Sequence, residues 1–246
     1  MEFQTAETSL IGDREVNQDR HGILMSDAEV VLTACDGMGG HEDGEIAAQT
    51  AIDTFLAGFK EHKPALDAAP TFFKDVIEKA HRAVVRAGIK KPVDQRPRTT
   101  ATLAMIAGNV AVWAHVGDSR VYHLRGNGVF NRTRDHSAVE ALYQRGAITE
   151  AQMQTHPMRN FVEECLGGEA DLPRIDIATP ETLEAGDTLL LCTDGFWSPL
   201  DMNIVAERLS AAEDLQDELD ALALEAREHA KPHSDNVTAV AFRLDE

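Results

Sequence analysis

The stretch Val30–Gly40, VVLTACDGMGG, carries a run of apolar and β-branched residues straight into an Asp-Gly pair and two further glycines. A short continuous run of this kind, bounded by glycine, reads as a strand buried on both faces. Its exit is the informative part. Asp36 sits where the strand ends, and Gly37, Gly39 and Gly40 leave the backbone behind it free of β-carbons, so that a carbonyl there can approach a ligand closely. Alone, Asp-Gly is a common turn dipeptide, and a tight turn is all that this stretch requires by itself.

The same arrangement recurs along the chain. LLLCTDG places Asp194 after a buried run, HVGDSR places Asp118 after another, and SDNVTAVAF sets Asp235 and Asn236 just before a fourth. Four carboxylates gathered at strand ends repel one another strongly unless a cation sits among them. Hard oxygen donors without cysteine or paired histidine favour Mg²⁺, Mn²⁺ or Ca²⁺ over zinc. A ligand to this centre that carried phosphate would want a guanidinium as well. Arg14 in GDREVNQDR, just before Asn17, Gln18 and Asp19, can grip two phosphate oxygens with its planar fork, although most arginines are simply surface charges.

Around these exits the hydrophobic period alternates between two values. Val30 to Cys35, Thr100 to Ala107, Val110 to Val116, Val121 to Leu124, Val129 to Arg132, Thr188 to Cys192 and Val237 to Arg243 read as short strands. Gly108-Asn109 and Gly126-Asn127-Gly128 are hairpin turns between neighbouring runs, so the sheets are expected to be largely antiparallel. Helical spacing appears from Gly44 to Phe59, from Thr71 to Val85 and from Asn203 to His229, the last with an acidic, solvated face. The expected class is α+β: two packed, mostly antiparallel β-sheets flanked by helices, an α-β-β-α sandwich. Neither a repeat nor a Ser/Pro/Gly-rich linker divides the sequence, and Lys90 to Arg98 reads as an exposed loop, so one domain over residues 1–246 is expected.

Composition bounds the function. The 246 residues are 43% hydrophobic and 26% charged, with 17 Gly and 9 Pro, which excludes whole-chain disorder. The 23 Lys and Arg against 42 Asp and Glu leave a formal charge of −19. Such a surface repels phosphate backbones and anionic lipid, so charge-driven binding to nucleic acid or membrane is excluded, and a phosphorylated ligand needs a local positive centre. The N-terminus has no basic segment followed by an apolar run, and no later stretch approaches a membrane span. With Cys35, Cys165 and Cys192 odd in number and lacking CxxC spacing, reduced thiols and a cytoplasmic protein are expected.

Taken together and in order, Arg14-x-x-Asn17-Gln18-Asp19, Asp36-Gly37-Met38-Gly39-Gly40-His41, Arg98-Thr99-Thr100, Gly117-Asp118-Ser119-Arg120, Asp135-His136-Ser137, Thr193-Asp194-Gly195 and Ser234-Asp235-Asn236 resemble the PP2C-type metal-dependent protein Ser/Thr phosphatases in their compact bacterial form. The resemblance spans roughly Thr5 to Arg243. It implies that Asp36 bridges two metal ions, that the Gly37 carbonyl binds the second, and that Asp194 and Asp235 complete the first. It further implies that Asp19 reaches the second ion through water, that Asp118 with Asp194 forms a third, weaker site, and that Arg14 binds phosphate. Asn17, His41 and Asn236 are supporting residues, Asn236 orienting Asp235.

The activity so implied is hydrolysis of phosphoserine and phosphothreonine in proteins, with Mn²⁺ or Mg²⁺ as cofactor. Two ions would lower the pKa of a bridging water so that hydroxide attacks phosphorus in line, without a phosphoenzyme. Met38 stands where animal relatives carry a histidine proposed as general acid and has no proton to donate; His41 is the nearest replacement by sequence, though a structural role suits it better. Asp135 to Gly168 resembles the mobile flap of the family, with a short helix Val139 to Arg145 after a Ser137 cap and an irregular excursion from Gly146 to Met158; Ala147 to Pro157 would help select substrates. His136 and His156 read as flap-positioning residues, and Trp113 and Trp197 as core anchors. The expected partners are phosphoproteins and a cognate Ser/Thr kinase, with the chain a monomer. Three rivals are weaker. A silent phosphoprotein-binding scaffold would have lost ligands, a calcium binder lacks the Asp-x-Asp-x-Asp-Gly loop, and a small phosphoester differs only in what flanks the phosphate.

Overall fold

A computed structural model describes residues 2–26, 28–38, 43–153 and 155–245. The strands are β1 (Phe3–Leu10), β2 (Arg20–Met25), β3 (Glu29–Cys35), β4 (Gly37–Met38), β5 (Arg98–Thr99), β6 (Ala101–Ala107), β7 (Val110–Val116), β8 (Arg120–Arg125), β9 (Gly128–Arg132), β10 (Leu166–Gly167), β11 (Asp176–Ile177), β12 (Glu181–Thr182), β13 (Thr188–Cys192) and β14 (Val237–Leu244). The first sheet runs β1-β14-β13-β8-β9, the second β11-β7-β6-β3-β2 with β12 also on β7, and β10-β5-β4 form a small ribbon. Every pairing between these strands is antiparallel.

Period-two alternation explains why the central strands are apolar throughout. In β3, Val30, Leu32 and Ala34 face the layer between the sheets, where they meet Leu189, Leu191, Val240 and Phe242. Val31 and Cys35 point the other way, against helices α1 (Gly44–His62) and α2 (Ala69–Gly88) through Phe55, Phe73 and Ile77. On the opposite flank, Tyr122, Leu190 and Ala239 pack beneath later helices through Leu209, Leu215 and Leu222. The layers are therefore α-β-β-α as expected. Truncating a buried ring such as Phe55 to alanine costs about 3–5 kcal/mol on the usual scale.

Two elements differ from their sequence reading. The single helix expected over Asn203–His229 is two, α6 (Met202–Ala211) and α7 (Leu215–His229), with α3 (Ala138–Gln144), α4 (Glu150–Met153) and α5 (Asp194–Trp197) preceding them. Ala212 is extended, and the Asp214 side chain accepts the N–H groups of Gln216 and Asp217, starting a new helix. The step from Leu209 to Leu215 also breaks the helical stripe, which a capping aspartate makes easy to tolerate. Within the excursion Gly146–Met158, α4 forms because Gln152 reaches back to the Thr149 N–H at 2.8 Å, one half of a capping box. The Ser137 cap is present, accepting from the Glu140 N–H.

Register decides where the chemistry lies. Arg20 pairs with Cys35, Ala34 with Thr102, and Ala101 with Val116. The start of β2 and the ends of β3 and β7 thus share one end of the second sheet. In the first sheet Cys192 pairs with both Ala239 and Arg120, and Leu10 with Val237. The residues just outside these positions are Arg14, Asp19, Asp36, Asp118, Asp194 and Asp235.

Candidate metal centre

Asp36 is held by its backbone. Its N–H donates to Thr100 Oγ1 at 2.8 Å, while its carbonyl accepts from Thr99 Oγ1 and from the Thr100 N–H, both at 2.9 Å. These two threonines are therefore more than packing. A Cβ on Gly37 would collide with the carbonyls of Gly44 and Gln18, and one on Gly44 with the Gly37 carbonyl. Only paired glycines let the start of α1 come this close to the strand exit.

Asp19 is 3% exposed, and its Oδ2 accepts from Thr193 Oγ1 at 2.8 Å. The Thr238 N–H donates in turn to Thr193 Oγ1. One hydroxyl thus ties the loop before β2 to the ends of β13 and β14. Thr193 stands in the Thr193-Asp194-Gly195 motif, but nothing local gives it this role or distinguishes it from a buried strand threonine.

Asp118 follows Gly117, whose φ of +102° is one that L side chains rarely adopt. The loop is clasped from outside by the start of the flap-like segment. His136 N–H donates to the Gly117 carbonyl at 2.9 Å, and the Gly117 N–H donates to His136 Nδ1 at 3.3 Å. Arg120 forks onto both Asp135 oxygens at 2.8 Å, bonds Tyr122 Oη at 2.7 Å, and lies 3.4 Å over the Trp197 ring. Trp197 is only half-buried: it donates Nε1–H to the Asp118 carbonyl and lines the cavity, which a pure core anchor would not do.

The electrostatics is that of crowded buried anions. Burial chiefly, then Asp19, Asp194, Asp118 and Asp235, push the Asp36 carboxyl well above the usual carboxylate range. Asp118 is raised in the same way by burial and then by Asp194 and Asp135. Asp19 is pushed up to about 7 by burial, against hydrogen bonds from Thr238 and Thr193, and Asp194 to about 6 by burial and Asp235. Asp118, Asp194 and Asp235 line one cavity together with Arg14. So much negative charge with so little solvent fits divalent cations held by oxygen, and the donor set offers neither sulfur nor imidazole that would favour zinc.

Arg14 Nη2 bonds Asp235 Oδ2 at 2.8 Å, and both side chains are substantially exposed at 57% and 41%. Asn17 accepts the Asp19 N–H and donates to Ser9 Oγ, fixing the turn before Asp19. Asn236 touches Asp235 through its backbone N–H; its side chain instead accepts from Gln18 N–H and donates to the Ile11 and Val16 carbonyls, pinning the loop that carries Arg14. His41, Gly39 and Gly40 lie outside the described residues. His156 Nδ1 accepts the Met158 N–H in a local turn.

Behind the Asp118 loop, His115, His136 and Asp176 offer ligand atoms within 4.8 Å of one another. Their hydrogen bonds suit a clamp better than an ion. His136 Nδ1 is occupied as an acceptor, which leaves the proton of the neutral ring on Nε2, 3.1 Å from Asp176. Among the cysteines, Cys35 and Cys192 are buried and Cys165 is partly exposed, all three free.

The sequence profile described as Protein phosphatase 2C matches residues 7–236. The chain is 28% identical to the serine/threonine phosphatase stp of Listeria monocytogenes over 235 residues, 94% of this chain and 92% of that protein. Its fold is similar to the structure of the Streptococcus agalactiae serine/threonine phosphatase, with a TM-score of 0.90 at 27% identity, covering 99% of this chain and 100% of the other. It is also similar to the catalytic domain of the Mycobacterium tuberculosis serine threonine protein phosphatase PstP in complex with two manganese ions, with a TM-score of 0.81 at 28% identity, covering 99% of each chain.

Proposed function

The chain belongs to the protein phosphatase 2C family, and on that premise we propose that it is a metal-dependent protein serine/threonine phosphatase, hydrolysing phosphoserine and phosphothreonine in proteins and opposing a Ser/Thr kinase. The observation that carries this reading is the convergence of Asp19, Asp36, Asp118, Asp194, Asp235 and Arg14 on one end of the two sheets. Asp19, Asp36, Asp118 and Asp194, raised chiefly by burial and then by neighbouring carboxylates, suit divalent cations, and the Arg14 guanidinium beside Asp235 suits phosphate.

In this reading Asp19, Asp36, Asp118, Asp194 and Asp235, with the Gly37 carbonyl, hold Mn²⁺ or Mg²⁺. When bound, two such ions supply Lewis acidity that makes water nucleophilic near neutral pH and offsets charge on the phosphoryl oxygens. The chain's own residues do the rest. Thr99 and Thr100 fix Asp36 by its backbone, Thr193 orients Asp19, and the His136 and Trp197 bonds fix the Asp118 loop. Arg14 exchanges its contact with Asp235 for phosphate oxygens, a cheap exchange because an exposed ion pair contributes little, about 0–1 kcal/mol. Asn236 holds the Arg14 loop in reach.

Residues 1–246 are proposed to act as one catalytic domain, monomeric and cytoplasmic. The three free thiols suit a reducing compartment, and none of the described helices is long and apolar enough to cross a membrane. The deciding measurement is Mn²⁺-dependent phosphate release from a phosphothreonine peptide. Asp194→Ala is expected to abolish it while leaving the fold intact by circular dichroism, and normal release by that variant would overturn the assignment.

A further inference from the structure

The cavity over the carboxylates has a volume of about 1110 Å³. That is far more than one phosphorylated side chain fills, and it reaches the upper end of whole small-molecule sites. Arg14, Asp118, Asp194 and Asp235 line it. The same cavity is lined by Trp197, Leu200, Met202, Val129 of β9 and Met153 of α4. Val129, Trp197 and Leu200 are partly buried, packing on the core with one side while lining the cavity with the other.

Arg120, Arg132 and Asp201 in these walls are satisfied from within, and Arg159 donates to Asn160 Oδ1 at 3.3 Å. Arg120 is forked onto Asp135, Arg132 donates to Glu140 and to the Thr133 carbonyl, and Asp201 caps α6 through the Asn203 N–H. An acidic residue entering beside Arg120 and Arg132 would find these guanidinium groups already paired, and Asp135 and Asp201 of its own sign. An apolar residue would remove Val129, Leu200 and its own surface from water together. These residues share one cavity with Arg14, Asp194 and Asp235, so the occupant belongs to the same substrate chain.

We propose that Val129, Leu200, Met202 and Met153 form a subsite for an apolar side chain lying within a few residues of the phosphorylated one. Substrates with Leu, Ile or Phe beside the phosphoresidue are then preferred over those with acidic flanks. This inference rests on the phosphoprotein reading given above.

The test compares kcat/KM with Mn²⁺ for three phosphothreonine peptides differing only in the flanking residues, Leu, Ala or Asp, with p-nitrophenyl phosphate as a substrate that has no flank. The Leu peptide is expected to exceed the Asp peptide by about 10-fold or more, since a filled apolar pocket discriminates on that scale. Leu200→Gln and the nearly isosteric Val129→Thr should each shrink the ratio while p-nitrophenyl phosphate turnover stays within about 2-fold. Equal rates for the three peptides, a preference for Asp, or an unchanged ratio in both variants would overturn the subsite and leave the phosphatase reading standing. Turnover of p-nitrophenyl phosphate with none of any peptide would overturn the phosphoprotein reading itself, and the subsite with it.

Discussion

Thr193 donates its hydroxyl to Asp19 Oδ2 at 2.8 Å across 174 positions of sequence, joining the loop before β2 to the end of β13. Thr193 Oγ1 in turn accepts the Thr238 N–H, which holds the hydroxyl in place beside the carboxylate. Outer partners of this kind tune metal ligands. Thr193→Val is expected to weaken Mn²⁺ binding by roughly 10-fold or more, with kcat at saturating Mn²⁺ changing less. A titration of activity against Mn²⁺ checks this, and a wild-type half-saturation point would refute it.

Cation binding should be strongly pH-dependent. Asp19 at about 7 and Asp194 at about 6 each keep a proton in the cation-free folded protein at a pH where ordinary carboxylates have lost theirs. Because these folded values are raised, proton binding stabilises the cation-free fold at low pH, and that contribution is lost as pH rises through about 6 to 7. Cations compete for the same oxygens, so Mn²⁺ affinity should climb over this window and level off above it. Calorimetry at pH 6 in two buffers of different ionisation heat should show proton release on Mn²⁺ binding; equal heats would contradict it.

Arg120 and Asp135 form a buried pair whose loss from one side strands a charge. Arg120→Met is expected to destabilise the protein by about 3–5 kcal/mol. It also frees the Trp197 ring from its cation and loosens the Asp118 loop. Denaturant melts measure the first effect. The second should appear as a higher Mn²⁺ requirement in whatever fraction folds.

His115 gives the fold an acid limit. Burial first, then His136, lower it to about 4, against the Arg134 carbonyl and Asp176, which raise it. A base whose folded value is depressed below its ordinary 6.5 stays neutral in the fold while the unfolded chain takes up a proton. Stability is therefore full above about 6.5 and falls as pH drops toward 4, by roughly 3 kcal/mol. Relative to wild type, His115→Asn should flatten this part of the profile. Parallel curves for the two proteins between pH 6.5 and 4 would exclude the role.

Arg14 should act on substrate more than on the fold. Arg14→Ala is expected to raise KM for phosphopeptide about 10-fold or more and shift the melting temperature little, since the exposed pair with Asp235 contributes at most about 1 kcal/mol. Arg14→Lys should recover only part of the loss, because a point charge cannot fork onto two oxygens. Full recovery by lysine would show that charge alone is read.

Much of the fold, and the residues of the candidate site, are legible in the sequence. The continuous apolar runs of β3, β13 and β14 mark strands buried on both faces, and the aspartates at their exits mark the site, because strand period and turn chemistry are local properties. The break between α6 and α7 was also written locally, in the Asp214 cap, but the acidic stripe around it reads equally well as one solvated helix face.

What the sequence by itself determined is which residues end the strands and what chemistry they carry: oxygen donors, glycines that admit close approach, and one forked cation. What only the tertiary structure decided is their convergence and support. The antiparallel register of two sheets brings Arg20 beside Cys35 and Cys192 beside Ala239. Thr193 for Asp19, His136 for Gly117 and Asn236 for the Arg14 loop are each chosen by partners far away in the chain. Burial then raises the carboxylates, and desolvation is a property of the packed layers that no local stretch contains.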